Sequence, residues 1–206
     1  MSDIKLNYID QSNDSNNSDV VIFQKNVATS FDELAVAWTV IKNTGQGSNH
    51  PFTFPSELTV GAADSWGNFT PQLAAENGQL FSMVQAASGN ELQYTGPGTS
   101  PTEIQIQNSL AQGAISANVY RAGRLLATKT NIAPGQKAVF QFKPTIFIGV
   151  ASEVTEGEVL NSAIISSVNT EISLLGIASA DIVMTGGGTG PNATPFVFQL
   201  ENIVMS

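Results

Sequence analysis

The sequence predicts an all-β protein, an antiparallel β-sandwich of jelly-roll or Ig-like type with little helix. Three observations predict it. Short apolar runs are separated by Gly, Pro and Asn turn segments along the whole chain. Several of these runs alternate apolar and polar residues, the period of two that turns one face of a strand to a core. Turn pairs such as Ala122-Gly123 and Pro134-Gly135 stand where strands should reverse. The spacing fits about ten to twelve short strands. No linker divides them, so the chain reads as one domain over residues 1–206.

In chain order, Ile4–Ile9 reads as the first strand and 10–19 as a polar loop of Asp, Asn, Ser and Gln. Val20–Phe23 is the second strand. Leu34–Lys42 admits two readings. Ser30 with Glu33 forms a capping-box pattern, and Leu34, Trp38 and Ile41 fit one helical face. Leu34, Val36, Trp38 and Val40 also alternate, and β-branched residues dominate the second half, which favours a strand. Leu58–Val60, Leu80–Val84 and Glu103–Gln107 follow as strands, with a helical turn over Pro71–Glu76 ended by Gly78. Ile115–Thr130 is the clearest hairpin. Ile115, Ala117 and Val119 alternate with Ser116, Asn118 and Tyr120, and Gly123 supplies the positive φ of a tight turn. Pro134-Gly135 fits a type II turn. Ala138–Phe142 and Thr145–Val150 flank Pro144. The last strands are Val159–Val168, Ile172–Leu175, Ala178–Met184 and Phe196–Leu200, with a bulge at Gly176 and a loop at Gly186–Pro191.

Charge bounds the function. Charged residues make up 12% of the chain, about half the usual level of roughly 25%, so neutral amides and hydroxyls supply much of the polar surface. Such a surface suits neutral polar ligands or self-association. With Lys+Arg 8 against Asp+Glu 17, the chain is acidic overall, with too few clustered cations to displace counterions from phosphates, and no nucleic-acid partner is expected. Anionic head groups are disfavoured for the same reason. Five cations nevertheless lie close together: Arg121, Arg124, Lys129, Lys137 and Lys143. No Lys or Arg follows, and the tail carries Glu153, Glu156 and Glu158 among its acids. This segregation marks those eight residues as a candidate contact surface between strands or between copies of the chain.

Catalytic signatures are weak. The chain has no cysteine and one histidine, His50, in a turn-like stretch before Pro51. Thiolate chemistry, disulfides and Cys-ligated metal centres are thereby excluded, and a His-based metal centre is a poor prospect without a second histidine. Asp10, Ser12 and Asp14 begin as a calcium loop does, yet Ser15 stands where such a loop needs Gly and no Glu closes it. The expected reading is a solvated loop, with no metal and no cofactor. Asp64 with Glu57 is the carboxylate pair a glycosidase reading would use. Gly186–Gly190 lacks the Lys-Ser/Thr ending of a P-loop. The best recognition candidate is Asp64, Trp66 and Asn68, because sugars stack CH faces on an aromatic ring while their hydroxyls seek acceptors and donors.

The expectation is therefore a non-enzymatic β-sandwich that binds, with neutral carbohydrate as ligand, or assembles as a homo-oligomer. A membrane-active β protein is the second reading, since Ser162, Ser166, Ser167, Thr170 and Ser173 interleave with Ile164, Ile165, Val168 and Ile172 as a membrane hairpin would. A small glycoside hydrolase is the third. The N-terminus lacks a basic region followed by an apolar run, so the expected compartment is the cytoplasm, or release without a cleavable leader.

Overall fold

The computed structural model describes residues 3–15, 18–29 and 35–206. It is all-β, with 55% strand and 5% helix. Its first eight strands are β1 (Ile4–Asp10), β2 (Val20–Phe23), β3 (Thr39–Ile41), β4 (Asn49–Phe54), β5 (Leu58–Ala63), β6 (Leu73–Ala75), β7 (Gln79–Ala86) and β8 (Gly89–Pro97). The next five are β9 (Ile104–Asn108), β10 (Ile115–Arg121), β11 (Arg124–Ile132), β12 (Lys137–Phe140) and β13 (Thr145–Val150). Helix α1 (Ser162–Ser167) precedes β14 (Thr170–Ser173), β15 (Ile177–Gly187) and β16 (Thr194–Met205). The chain packs as two compact units. One comprises Met1–Gln24, Val36–Ser56 and Pro144–Ser206, the other Lys25–Ala35 and Glu57–Lys143.

The first unit contains two four-stranded sheets, ordered β16-β15-β1-β4 and β14-β13-β2-β3. Only the β1–β15 pair is parallel among these contacts. Strand β1 shows why the pattern folds: Ile4, Leu6, Tyr8 and Asp10 are buried while Lys5 is exposed. Trp38, 1% exposed, joins the two sheets. Its N–H donates to the Ile22 carbonyl, and its ring meets Phe54 of β4 edge-to-face, 5.6 Å between centroids. An aromatic pair in that geometry adds about 0.5–1.5 kcal/mol beyond burial.

The second unit also contains two four-stranded sheets, β11-β10-β5-β6 and β12-β9-β7-β8, with β7–β9 parallel. Ala117 and Val119 of β10 point into its core with Phe81, Ile104, Ile106 and Phe140. The β10–β11 hairpin closes on Arg121 opposite Arg124, with Ala122 and Gly123 both at positive φ. Pro134-Gly135 forms the expected turn: Gln136 N donates to the Ala133 carbonyl at 3.0 Å, and Gly135 has φ +81°.

Several expectations are corrected. Pro71–Glu76 is not a helical turn. Leu73–Ala75 extends and pairs with β5 in register Val60↔Leu73, because ladder bonds reward a segment whose own helix would be too short to be stable. His50 and Pro51 lie within β4, not in a turn. Proline is tolerated there because β4 is an edge strand, where an N–H can be absent. Val159–Val168 is not a strand. Asn161 caps α1, its Oδ1 accepting the Ile164 N–H at 2.9 Å, and Ser166 and Ser167 bond back to helix carbonyls. These local bonds outweigh the β-propensity of the isoleucines. The paired strands that suggested a membrane hairpin over 162–173 are thus a short helix followed by β14. Gly176 marks a turn, not a bulge: Ile177 N donates to the Leu174 carbonyl across it. The 10–19 stretch is not simply solvated, since Asp10, Ser12 and Asp14 are buried. Gly89–Pro97, unassigned from the sequence, is β8. The strand expected over Leu34–Lys42 reduces to bridges at Ala35 and Val36 and the short β3, while Ser30–Glu33 and Leu34 lie outside the described residues.

Candidate functional site

The loop that leaves β5 is organised by one carboxylate. Asp64 Oδ1 accepts the backbone N–H groups of Trp66 at 2.9 Å and Asn68 at 3.0 Å. Asp64 Oδ2 accepts Asn68 Nδ2 at 3.0 Å and Asn90 Nδ2 at 3.5 Å. Gly67, at φ +83°, makes the reversal, and its N–H bonds the Asp64 carbonyl. The Asn68 side chain, then the Asn68 and Trp66 amides and Asn90, hold the Asp64 carboxyl below the usual carboxylate range. These bonds turn the side chains of Trp66 and Phe69 outward, 87% and 71% exposed.

Trp66 stands beside a cleft of about 460 Å³ whose other walls are Asp64, Gln85, Asn90, Gln112 and the chain around Gly113. Gln85 and Asn90 are cross-strand partners in the β7–β8 hairpin, so the ladder sets their amides side by side. The far wall is positioned by buried Asn108. Its Nδ2 donates to the carbonyls of Gly113 at 2.9 Å and Ile132 at 2.8 Å, and its Oδ1 accepts the Leu110 N–H at 3.1 Å. A second cleft, about 610 Å³, shares Asp64, Ser65 and Ala114 with the first and is lined by Phe69, Ser116, Asn118, Tyr120 and Thr128. The alternation of β10 sends Ser116, Asn118 and Tyr120 to this face, as the sequence predicts. Thr128 Oγ1 donates to Asn118 Oδ1 at 2.7 Å. The Tyr120 ring lies against Gly61, where an added Cβ would come within 3.3 Å of the ring. Burial pushes the Tyr120 hydroxyl pKa up.

Of the three residues singled out from the sequence, Trp66 stands with its side chain open to solvent. Asp64 and Asn68 are engaged with each other and shape the loop. The polar groups that face the cleft with Trp66 are Gln85, Asn90 and Gln112. Sequence reading missed them because isolated Asn and Gln carry no pattern, and only the β7–β8 pairing gathers them. The carboxylate pair Glu57 and Asp64 flanks the six residues of β5. At about 3.3 Å per residue its ends are roughly 20 Å apart, against about 5–9.5 Å for glycosidase carboxylates.

The charge-segregated residues divide between the units. Arg121, Arg124, Lys129, Lys137 and Lys143 belong to the second, Glu153, Glu156 and Glu158 to the first. Arg121 is 5% exposed, so it does not form part of an open face as the hairpin position suggested. The inward alternation of β10 takes it into the interior. Lys137 Nζ donates to Thr99 Oγ1 and Gln105 Oε1 within its own unit. Burial pushes the Lys129 ammonium pKa down. Glu158 accepts the Thr155 N–H at 3.0 Å, and Glu153 lines a cleft of about 630 Å³ with Asp19.

Among the described residues no group of three or more His, Asp or Glu side chains is placed to hold a metal ion, and no helix is long and apolar enough to cross a membrane. The chain matches no protein-family model, no curated protein and no solved structure.

Proposed function

We propose that this protein is a non-enzymatic carbohydrate-binding protein that holds a neutral glycan against Trp66. One observation carries the reading: a tryptophan 87% exposed, on a loop fixed by Asp64, beside a cleft lined by neutral amides. An indole in water is costly unless something covers it, and a sugar ring covers it with CH groups while its hydroxyls pair with Gln85, Asn90 and Gln112. The low charge of the lining fits a neutral ligand. A glycan array followed by calorimetry tests the reading. Wild-type protein should bind a neutral glycan, and Trp66→Ala should weaken binding about tenfold, or 1.4 kcal/mol, with an unchanged circular dichroism spectrum. Wild-type protein that binds no neutral glycan refutes it.

A second reading, self-association, is favoured by β16. This strand is at the edge of its sheet and exposes Ile203, Val204 and Met205. It has no Lys among its residues, the usual guard against edge-to-edge pairing. Sedimentation velocity should show a dimer that Val204→Lys dissociates. A monomer at every accessible concentration removes this reading.

A further inference from the structure

The end of β1 carries a closed circuit of oxygen atoms, most of them on buried residues. Tyr8 and Asp10 share one face of the strand, because alternate residues point the same way, and neither is exposed to solvent. The Tyr8 hydroxyl donates to Thr44 Oγ1 at 3.3 Å. Thr44 Oγ1 donates to the Ser18 carbonyl at 2.9 Å. Ser18 N–H donates to Asp14 Oδ2 at 2.8 Å. Asp14 N–H donates to Ser12 Oγ at 3.1 Å, and Ser12 N–H to Asp10 Oδ1 at 2.8 Å. Strand β1 then closes the path back to Tyr8. Six residues contribute oxygen to this circuit, two of them as carboxylates, and none of the six is cationic.

One atom of the circuit is unsatisfied. Asp10 Oδ2 is buried and has no hydrogen-bond partner. Taking a carboxylate out of water is unfavourable unless a counter-charge or a donor meets it. The backbone holds the arrangement in place: Gln11 N–H bonds the Met184 carbonyl and Asn13 N–H the Gly186 carbonyl. Gly187 makes room for the loop, since an added Cβ there would be 3.3 Å from Asp14 N and 2.7 Å from the Phe196 ring.

We infer that this circuit is a binding site for a single hard divalent cation of calcium size, with Asp10 Oδ2 as a direct ligand. The donor set selects the ion. Calcium accepts six to eight oxygen ligands in irregular geometry and mixes carboxylates, hydroxyls and carbonyls. Zinc favours nitrogen and sulfur, which the circuit lacks. Magnesium demands near-octahedral geometry and keeps its waters, for which the fully buried Asp10 and Ser12 leave little room. The bound ion would offset the charge of Asp10 and Asp14 and hold residues 10–15 against β15.

The test uses the whole chain stripped of metal with EDTA. Terbium titration, read as emission sensitised through tyrosine, should saturate, and calcium should displace the terbium. Calcium should raise the thermal midpoint, and magnesium should do so far less. Asp10→Asn should weaken calcium binding by roughly 100-fold or more, since losing a direct ligand costs at least as much as losing an outer-shell partner. If Asp10→Asn does not fold, Asp14→Asn gives the same readout, and the wild-type titrations stand without either variant. Absence of saturable terbium emission and of any calcium-dependent midpoint shift overturns the inference. So does unchanged affinity in a folded Asp10→Asn, or an equal response to magnesium.

Discussion

Asp64 shows how a single side chain decides what a residue next to it does. Its hydrogen bonds to Trp66, Asn68 and Asn90 exist in the folded loop only, so its folded pKa is depressed. The sign follows from linkage. The carboxylate contributes to loop stability above its unfolded pKa, and that contribution is lost as pH falls through the lower folded value. Trp66 emission should therefore hold steady through the ordinary carboxylate range and change only below it. Asp64→Asn should abolish that acid transition. A fluorescence titration that gives the same transition in wild type and variant would assign the change to another group. The residue scale is also where sequence reading fell short. Asp64, Trp66 and Asn68 were legible as a turn with an aromatic platform. That Asp64 and Asn68 satisfy each other, and that Asn108 braces the opposite wall, depends on distances no sequence interval encodes.

At the scale of elements, local chemistry was readable where alternation and a recognisable turn pair coincide. The β10–β11 hairpin follows from alternation plus Gly123, and the strand exits at Pro134-Gly135 follow from the turn type. One detail of that hairpin is suboptimal. A two-residue turn with both central residues at positive φ is type I′, whose preferred first residue is Asn. Ala122 occupies it at φ +54°, a left-handed conformation that costs an L-residue about 1–2 kcal/mol. Ala122→Asn should therefore stabilise the protein by about 0.5–1 kcal/mol in urea unfolding, since Asn tolerates that region. A lower midpoint in the variant would show that the turn is not under this strain. Strands β4, β6 and β8 were not legible. Each contains or abuts Pro, Gly or Ala, residues of low β-propensity, and each is held by pairing to a neighbour distant in sequence or by edge position. Helix α1 was misread for the converse reason: an Asn cap and serine side chains override a run of β-branched residues.

At the scale of the molecule, the two tryptophans report on the two units separately. Trp38 belongs to the first and is 1% exposed, whereas Trp66 belongs to the second and is 87% exposed. Their sequence contexts, an apolar alternating run and a turn, predict the same order of exposure. Acrylamide should quench a Trp66-only variant strongly and a Trp38-only variant weakly. Equal protection of both would mean that Trp66 is covered, by a partner or by its own loop, and would withdraw the open platform. The charge segregation is the molecular-scale feature that the fold recasts. It survives as a division between units, but burial of Arg121 and the internal bonds of Lys137 make much of the basic cluster structural.

The sequence by itself determined the all-β class, the position of most strands and the exposure of Trp66. These depend on interactions within a few residues, namely side-chain alternation, turn φ preferences and propensity, and local interactions are written in local sequence. Tertiary structure alone decided the rest: the grouping of strands into four sheets, the assembly of Gln85, Asn90 and Gln112 beside Trp66, and the burial of Asp10, Ser12 and Asp14. Each depends on which strands pair across long sequence separations. For Asp10 the physical reason is plain. The same alternation that buries Leu6 and Tyr8 carries the next inward position of β1 into the interior, whatever its charge, so that Asp10 is fully buried.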